Sequence, residues 1–162
     1  MDYVRHLDSP LGGITLASDG EALIGLWFDG QRRFAAGLDP ERRERDLPVF
    51  SDAERWLETY FGGAVPDFTP RLNPRGTPFQ RAVWALLRAV PYGGTATYGE
   101  IAGRMPGPAS ARAVGGAVAR NPVSLIIPCH RVMGADGSLT GYAGGIEKKQ
   151  WLLRLEGAAV AR

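Results

Sequence analysis

The fold turns on residues 97–120, which run Thr97-Tyr98-Gly99-Glu100-Ile101-Ala102-Gly103-Arg104-Met105, then Pro106-Gly107-Pro108, then Ala109-Ser110-Ala111-Arg112-Ala113-Val114-Gly115-Gly116-Ala117-Val118-Ala119-Arg120. Thr97 and Glu100 have the spacing at which two side chains each satisfy a free amide at a helix start. This predicts a short helix from Tyr98 to Met105. Pro106-Gly107-Pro108 cannot continue that helix and makes a rigid turn. Ser110 is placed to cap a second helix, Ala111 to about Arg120, with Ala113, Val114, Ala117 and Val118 along one side. Two short helices across a tight turn predict a helix-turn-helix. Arg112 lies near the start of the second helix, where DNA-reading residues sit in this motif. Gly115, Gly116 and the alanines keep the helix surface low, which permits close approach of DNA or of a neighbouring element.

On the N-terminal side, Thr77-Pro78-Phe79-Gln80 opens another helix. Thr77 is the cap, Pro78 takes the first helical position, and Gln80 completes the capping box. Phe79, Val83, Leu86, Leu87 and Val90 form its apolar face, and it ends before Pro91. Residues 64–76, with Pro66, Pro70, Pro74 and Gly76, read as an interdomain linker.

On the other side, Val123, Leu125, Ile126 and Ile127 read as the end of a buried strand that Pro128 stops. Just beyond stands Cys129, the only cysteine, followed by His130, one of two histidines, and Arg131. A lone cysteine in an apolar run is commonly just a small buried hydrophobe. A thiol beside an imidazole and an arginine is also in a setting that favours thiolate, the nucleophilic form. Two turn-rich loops follow, Met133 to Gly137 and Gly141 to Gly145. The last helix reads from Ile146 to Glu156, with Trp151, Leu152 and Leu155 as its apolar face and Gly157 as the stop signal.

The first half has another character. Tyr3 to Asp8, Gly13 to Ser18 and Ala22 to Phe28 read as three antiparallel strands. Residues 29–50 read as charged and irregular. Ser51-Asp52-Ala53-Glu54 reads as a capping box opening a helix with Trp56, Leu57, Tyr60 and Phe61 on one face, ended by Gly62-Gly63. No carboxylates pair at a spacing that suggests chemistry. The expected fold class is α/β in the α+β sense. A small N-terminal antiparallel sheet with a helix occupies 1–75, and a helical helix-turn-helix domain occupies 76–162.

Charge divides along the same line. Residues 1–75 hold 9 Arg/Lys and 13 Asp/Glu, net −4, and residues 76–162 hold 10 Arg/Lys and 4 Asp/Glu, net +6. A basic half that carries both the helix-turn-helix and Cys129 points to a polyanion partner. A single cysteine excludes an internal disulfide and a multi-cysteine zinc site. No apolar run approaches the roughly 20 residues of a membrane span, and the start lacks the layout of a signal peptide. A free thiol suits a reducing, cytoplasmic setting.

The motifs from Thr77 to Gly157 resemble, in order, those of the O6-alkylguanine-DNA alkyltransferases, the self-methylating DNA repair proteins. The matching positions are Thr77-Pro78-Phe79-Gln80, Tyr98, Ala111-Arg112-Ala113-Val114-Gly115-Gly116, Asn121-Pro122, Pro128-Cys129-His130-Arg131-Val132, Tyr142 with Gly144-Gly145, and the closing Leu152-Leu153-Arg154-Leu155-Glu156-Gly157. The first 75 residues match only loosely, as that family's variable domain with a ribonuclease-H-like sheet. Some members bind zinc there, and the missing cysteines argue against it here. A related class of non-repairing DNA-binding proteins lacks the cysteine that this chain has.

The resemblance implies a function. The alkyl group of O6-alkylguanine, and by extension of O4-alkylthymine, would pass once and irreversibly to Cys129. Glu156 would orient His130, and His130 would act through a water as base toward the thiol. Tyr98 would donate a proton to the leaving purine, and Asn121 would tie the second helix to the active-site turn. Arg131, Val132, Tyr142 and Ala143 would line the base pocket. Ala111, Arg112, Ala113, Gly115 and Tyr98 would meet DNA, with Arg112 filling the gap left by the flipped nucleotide. The implied partner is double-stranded DNA containing the lesion, bound by a monomer that needs no cofactor and no metal. Two other readings stay open at this point. One is a cysteine hydrolase using Cys129 and His130. The other is a helix-turn-helix regulator or damage sensor without transfer activity.

Overall fold

Asp2–Leu7 (β1), Ile14–Ser18 (β2) and Leu23–Phe28 (β3) pair antiparallel in sequence order. β2 and β3 are buried on both faces, as their runs of Ile, Leu, Ala, Trp and Phe require. One face is covered by Pro48–Phe61 (α1), which packs on β2 and β3. On the other, Val4, Ala17, Ile24 and Trp27 cluster under Leu38. Gly25 is needed there, because a Cβ would lie 2.0 Å from the Trp27 ring.

Three features of this half depart from the sequence reading. The segment read as irregular contributes a short strand, Arg42–Glu44 (β4), parallel to β1, so the sheet order is β3-β2-β1-β4 and not purely antiparallel. All three β4 residues are exposed and charged, so no hydrophobic alternation announces the strand. Helix α1 begins at Pro48, not Ser51, and Leu47 caps it without a side-chain bond. Pro48 suits a first-turn position, and starting there buries Val49 and Phe50. Residues 122–124 also group with this half, although their place in the sequence set them in the other: the Leu26 amide donates to the Pro122 carbonyl and the Ser124 amide donates to Leu26.

The structure, a computed structural model, describes residues 1–158. It divides into two units, Met1–Arg75 with Pro122–Ser124, and Gly76–Asn121 with the chain from Leu125 onward. In the first unit, Arg75 donates to both oxygens of Asp2 at 2.8 Å, and the Asp39 amide donates to the same carboxylate. Asp2 is buried, and these donors hold its carboxyl below the usual value of 3.8 despite its burial. Its contribution to stability is therefore present above about pH 3.8 and lost as pH falls through the lower folded-state value. Asp2→Ala is expected to cost on the order of 2 kcal/mol, less than a fully buried pair because Arg75 is half-exposed. Urea denaturation at pH 7 reads this, and the gap between variant and wild type should narrow in acid.

The second unit is built on Pro78–Leu87 (α2), Tyr98–Gly103 (α3), Ala111–Ala119 (α4) and Ile146–Leu155 (α5). Helices α2, α3 and α4 pack on one another. The capping boxes at Thr77 and Thr97 both form, and Ser110 caps α4 by accepting from the Ala113 amide. Helices α2 and α3 each stop short of the expected ends. Trp84, absent from the expected apolar face of α2, is buried and donates its indole N–H to the Ala117 carbonyl of α4 at 2.8 Å. Ala96–Thr97 (β5) pairs in parallel with Val132–Met133 (β6), a two-residue ladder too short to show as a sequence pattern.

Candidate active site

The expected strand before Cys129 is not a strand. After the isolated bridge at Val123 the chain turns through residues 124–127, with Leu125 in the left-handed region at φ 71°. The aliphatic side chains are buried all the same, so a hydrophobic run here supports a packed turn. Cys129–Arg131 form one turn of 3-10 helix, and β6 follows directly. The Asn121 side chain, just past α4, donates to the Ile127 carbonyl at 2.8 Å and fixes the approach to this turn.

The 3-10 turn sets Cys129 beside Asn121 and directs both His130 and Arg131 to Glu156. Cys129 is 4 % exposed, at the edge of accessibility. Burial pushes its thiol pKa up, while a hydrogen bond with Asn121, the charge of Lys149 and nearby backbone amides pull against it. His130 is fully buried, and its Nε2 lies 2.6 Å from Glu156 Oε2. Burial pushes the imidazole pKa down, with Glu156 opposing, so the ring is neutral at pH 7. With Nε2–H given to the carboxylate, Nδ1 carries the lone pair, and it is buried without a hydrogen-bond partner. Arg131 donates its Nε–H to Glu156 Oε1 at 2.7 Å and a second N–H to the Val90 carbonyl at 2.8 Å. Its guanidinium also lies over the Tyr92 ring.

Glu156, at the C-cap of α5, thus serves two partners with its two oxygens. Such a cluster is an oriented general base in form: carboxylate, imidazole, and a free ring nitrogen. Tyr142 packs edge-on to His130 with ring centroids 6.4 Å apart. Tyr98, at the start of α3, accepts at its hydroxyl from Thr140 at 3.4 Å, and Gly115 of α4 lies against its ring. Ala143 is half-buried in the same loop as Tyr142, and Val132 is buried in β6. Ala111, Arg112 and Ala113 are exposed together at the start of α4.

At two residues the structure shows contacts that the sequence does not announce. Arg131 stands in the ion cluster, donating to Glu156 and to the Val90 carbonyl. Lys149 was not singled out at all, yet it is fully buried and donates to the Val132 and Thr140 carbonyls. Its position three and four residues before Leu152 and Leu153 was the available signal, since that spacing puts it on the buried face of α5. The expected apolar face was instead shifted: Leu153 is buried and Trp151 is 37 % exposed. Among the described residues no three His, Cys, Asp or Glu side chains gather as a metal site.

Comparison with known proteins agrees with this arrangement. Residues 78–158 match the model of the 6-O-methylguanine DNA methyltransferase DNA binding domain, and residues 3–74 match that family's ribonuclease-like domain. The chain is 45 % identical over 157 residues to a methylated-DNA–protein-cysteine methyltransferase of Methanosarcina acetivorans, covering 96 % of this chain and 99 % of the relative. A Haemophilus influenzae protein of the same name is 45 % identical, covering 95 % and 86 %. In structure, the chain is similar to Mycobacterium tuberculosis OGT in complex with DNA, with TM-score 0.86, 44 % identity, and coverage of 96 % and 92 %. Two family domains matched in succession, and identity of this degree over nearly the whole length of such relatives, place this chain in one family: it belongs to the 6-O-methylguanine DNA methyltransferases, the methylated-DNA–protein-cysteine methyltransferases.

Proposed function

We propose that this methyltransferase repairs DNA by taking the alkyl group from O6-alkylguanine onto its own Cys129, after the damaged base has left the duplex. The observation that carries the reading is Cys129 and His130 on one buried turn of the basic half, with Glu156 from the end of α5 bound to His130. Glu156 holds His130 in the tautomer whose Nδ1 accepts a proton. Cys129 is its neighbour in the chain, and a water between them carries the thiol proton to that nitrogen. The sulfur then displaces guanine from the alkyl carbon. Tyr98, held at the loop by Thr140, supplies the proton that the departing purine needs. Tyr142, Ala143 and Val132 border the base, and Arg131 supports Glu156 rather than the substrate.

DNA lies along the exposed start of α4, where Ala111 and Ala113 leave Arg112 standing above a low surface. Arg112 enters the stack where the nucleotide was, offsetting an unstacking cost of a few kcal/mol. The protein acts as a cytoplasmic monomer on double-stranded DNA, without metal. O4-alkylthymine fits the same chemistry.

Arg112 separates base extrusion from chemistry. A plain phosphate contact would change salt-dependent affinity for any duplex. A gap-filling side chain matters only when the base comes out of a stack. With transfer followed as mass added at Cys129, Arg112→Ala should slow repair of duplex DNA by about a hundredfold. Reaction with free O6-benzylguanine should stay within about twofold of wild type. The duplex defect should shrink for a mispaired or single-stranded lesion. Equal losses on free base and duplex would show that Arg112 supports the pocket instead.

A further inference from the structure

Lys149 has no exposed surface, and its ammonium forms no ion pair with a carboxylate among the described residues. It donates to the carbonyl of Val132, the residue that ends the Cys129–Arg131 turn, and to the carbonyl of Thr140 at 2.7 Å. Two neutral carbonyls are poor compensation for a buried cation. The charges around it make the arrangement intelligible. Glu156 is matched by Arg131, and His130 is neutral. With the thiol protonated, this cluster with Lys149 carries one excess positive charge. With the thiolate formed and the thiol proton passed on to solvent, so that His130 is again neutral, it is neutral.

We propose that Lys149 is the charge partner of the Cys129 thiolate and a positioning residue for alkyl transfer, tying β6 to the loop that carries Tyr142. The inference rests on Cys129 being the alkyl acceptor. In the step itself Lys149 keeps its proton. The thiol proton leaves through water to His130, a sulfur lone pair forms the S–C bond, and the C–O6 bond breaks. Its electron pair leaves with guanine, which takes up a proton. Lys149 stabilises the sulfur while it is anionic and is not consumed. Burial lowers its own pKa to about 8, and the Cys129 charge opposes that fall, so thiol and amine titrate as a pair. The other titratable groups nearby are His130, with Arg131 and Glu156 behind it, Tyr142 in the loop and Tyr98 on α3.

The single cysteine makes the test direct. Thiolate absorbance in the ultraviolet is titrated against pH in the wild type, Lys149→Gln and Lys149→Met, with Cys129→Ser as the blank. Glutamine keeps N–H donors for the two carbonyls but loses the charge. Both variants should raise the thiol midpoint by on the order of one pH unit. Their rate of alkyl transfer from free O6-benzylguanine should fall about tenfold at neutral pH and recover as pH rises past the new midpoint. An unmoved midpoint in both variants overturns the proposal. So does a lower rate at every pH with the midpoint unchanged, which marks a merely structural lysine. If the wild type gains no alkyl group at Cys129, the reading of the acceptor fails instead, and the thiolate titration still stands by itself.

Discussion

One equivalent of duplex DNA carrying O6-methylguanine is expected to add the mass of a single methyl group to the protein, and a second equivalent is expected to add nothing. The reason is chemical. A thioether sulfur has no proton to lose, and neither water nor His130 can displace the methyl group at ordinary rates. The residue gaining mass should be Cys129, because no other thiol is present. Cys129→Ser should bring transfer below detection, since a hydroxyl is a far weaker nucleophile at neutral pH than a thiol. The same variant should bind lesion duplex as tightly as wild type, because serine fills the same small buried site and the exposed face of α4 is untouched. Intact-mass measurement over several equivalents of DNA reads both outcomes. More than one methyl leaving the DNA per protein molecule would contradict a terminal thioether.

The second large effect is expected at Glu156. Its side chain is fully buried and, among the described residues, its carboxylate is the one that pairs with both His130 and Arg131. Removing it in Glu156→Ala leaves Arg131 as a buried cation without its counter-charge, a loss of about 3–5 kcal/mol. That is a large share of the total stability of a typical domain. Glu156→Gln keeps the shape and should cost less, about 1–3 kcal/mol, but it frees the imidazole to turn over. Transfer to Cys129 should then slow by about a hundredfold even in protein that remains folded. The pH dependence has a definite sign. His130 has a folded-state pKa below its ordinary 6.5, so the unfolded chain binds the extra proton as pH falls. Stability contributed by neutral, buried His130 is therefore full above about pH 6.5 and lost in the acid range below it. Loss of Glu156 removes the interaction that favours the imidazolium, so the variants should be the more acid-sensitive. Thermal melts at pH 5 and pH 7 compare them.

Much of the second unit was legible because its helix starts are written in side chains. Thr77, Thr97 and Ser110 each make the cap that their spacing implies, and local bonds of that kind do not depend on the rest of the molecule. Cys129, His130 and Glu156 were legible through motif resemblance, not through periodicity. The hydrogen bond joining His130 to Glu156 spans 26 residues, and no local pattern encodes it. Where the reading failed, tertiary packing had won over local signals. The aliphatic run before Cys129 looked like a strand because buried turns and buried strands share a composition. Ser51 looked like a cap, but burying Val49 and Phe50 moved the helix start to Pro48. Lys149 escaped notice because a lysine is expected in solvent, and only a buried acceptor pair or an anion gives it reason to be inside.

The short charged strand β4 bears on how the protein keeps in solution. A molecule consumed once per lesion is useful only if a stock of unspent copies is held ready, and crowding of identical sheets invites edge-to-edge aggregation. One margin of this sheet, β3, is already occupied by the bridges to Leu72 and Val123. The other ends in Arg42, Arg43 and Glu44, three exposed charges on a strand only three residues long. Such a margin offers an incoming strand few backbone partners and makes pairing desolvate three charged side chains, which disfavours growth of the sheet from that edge.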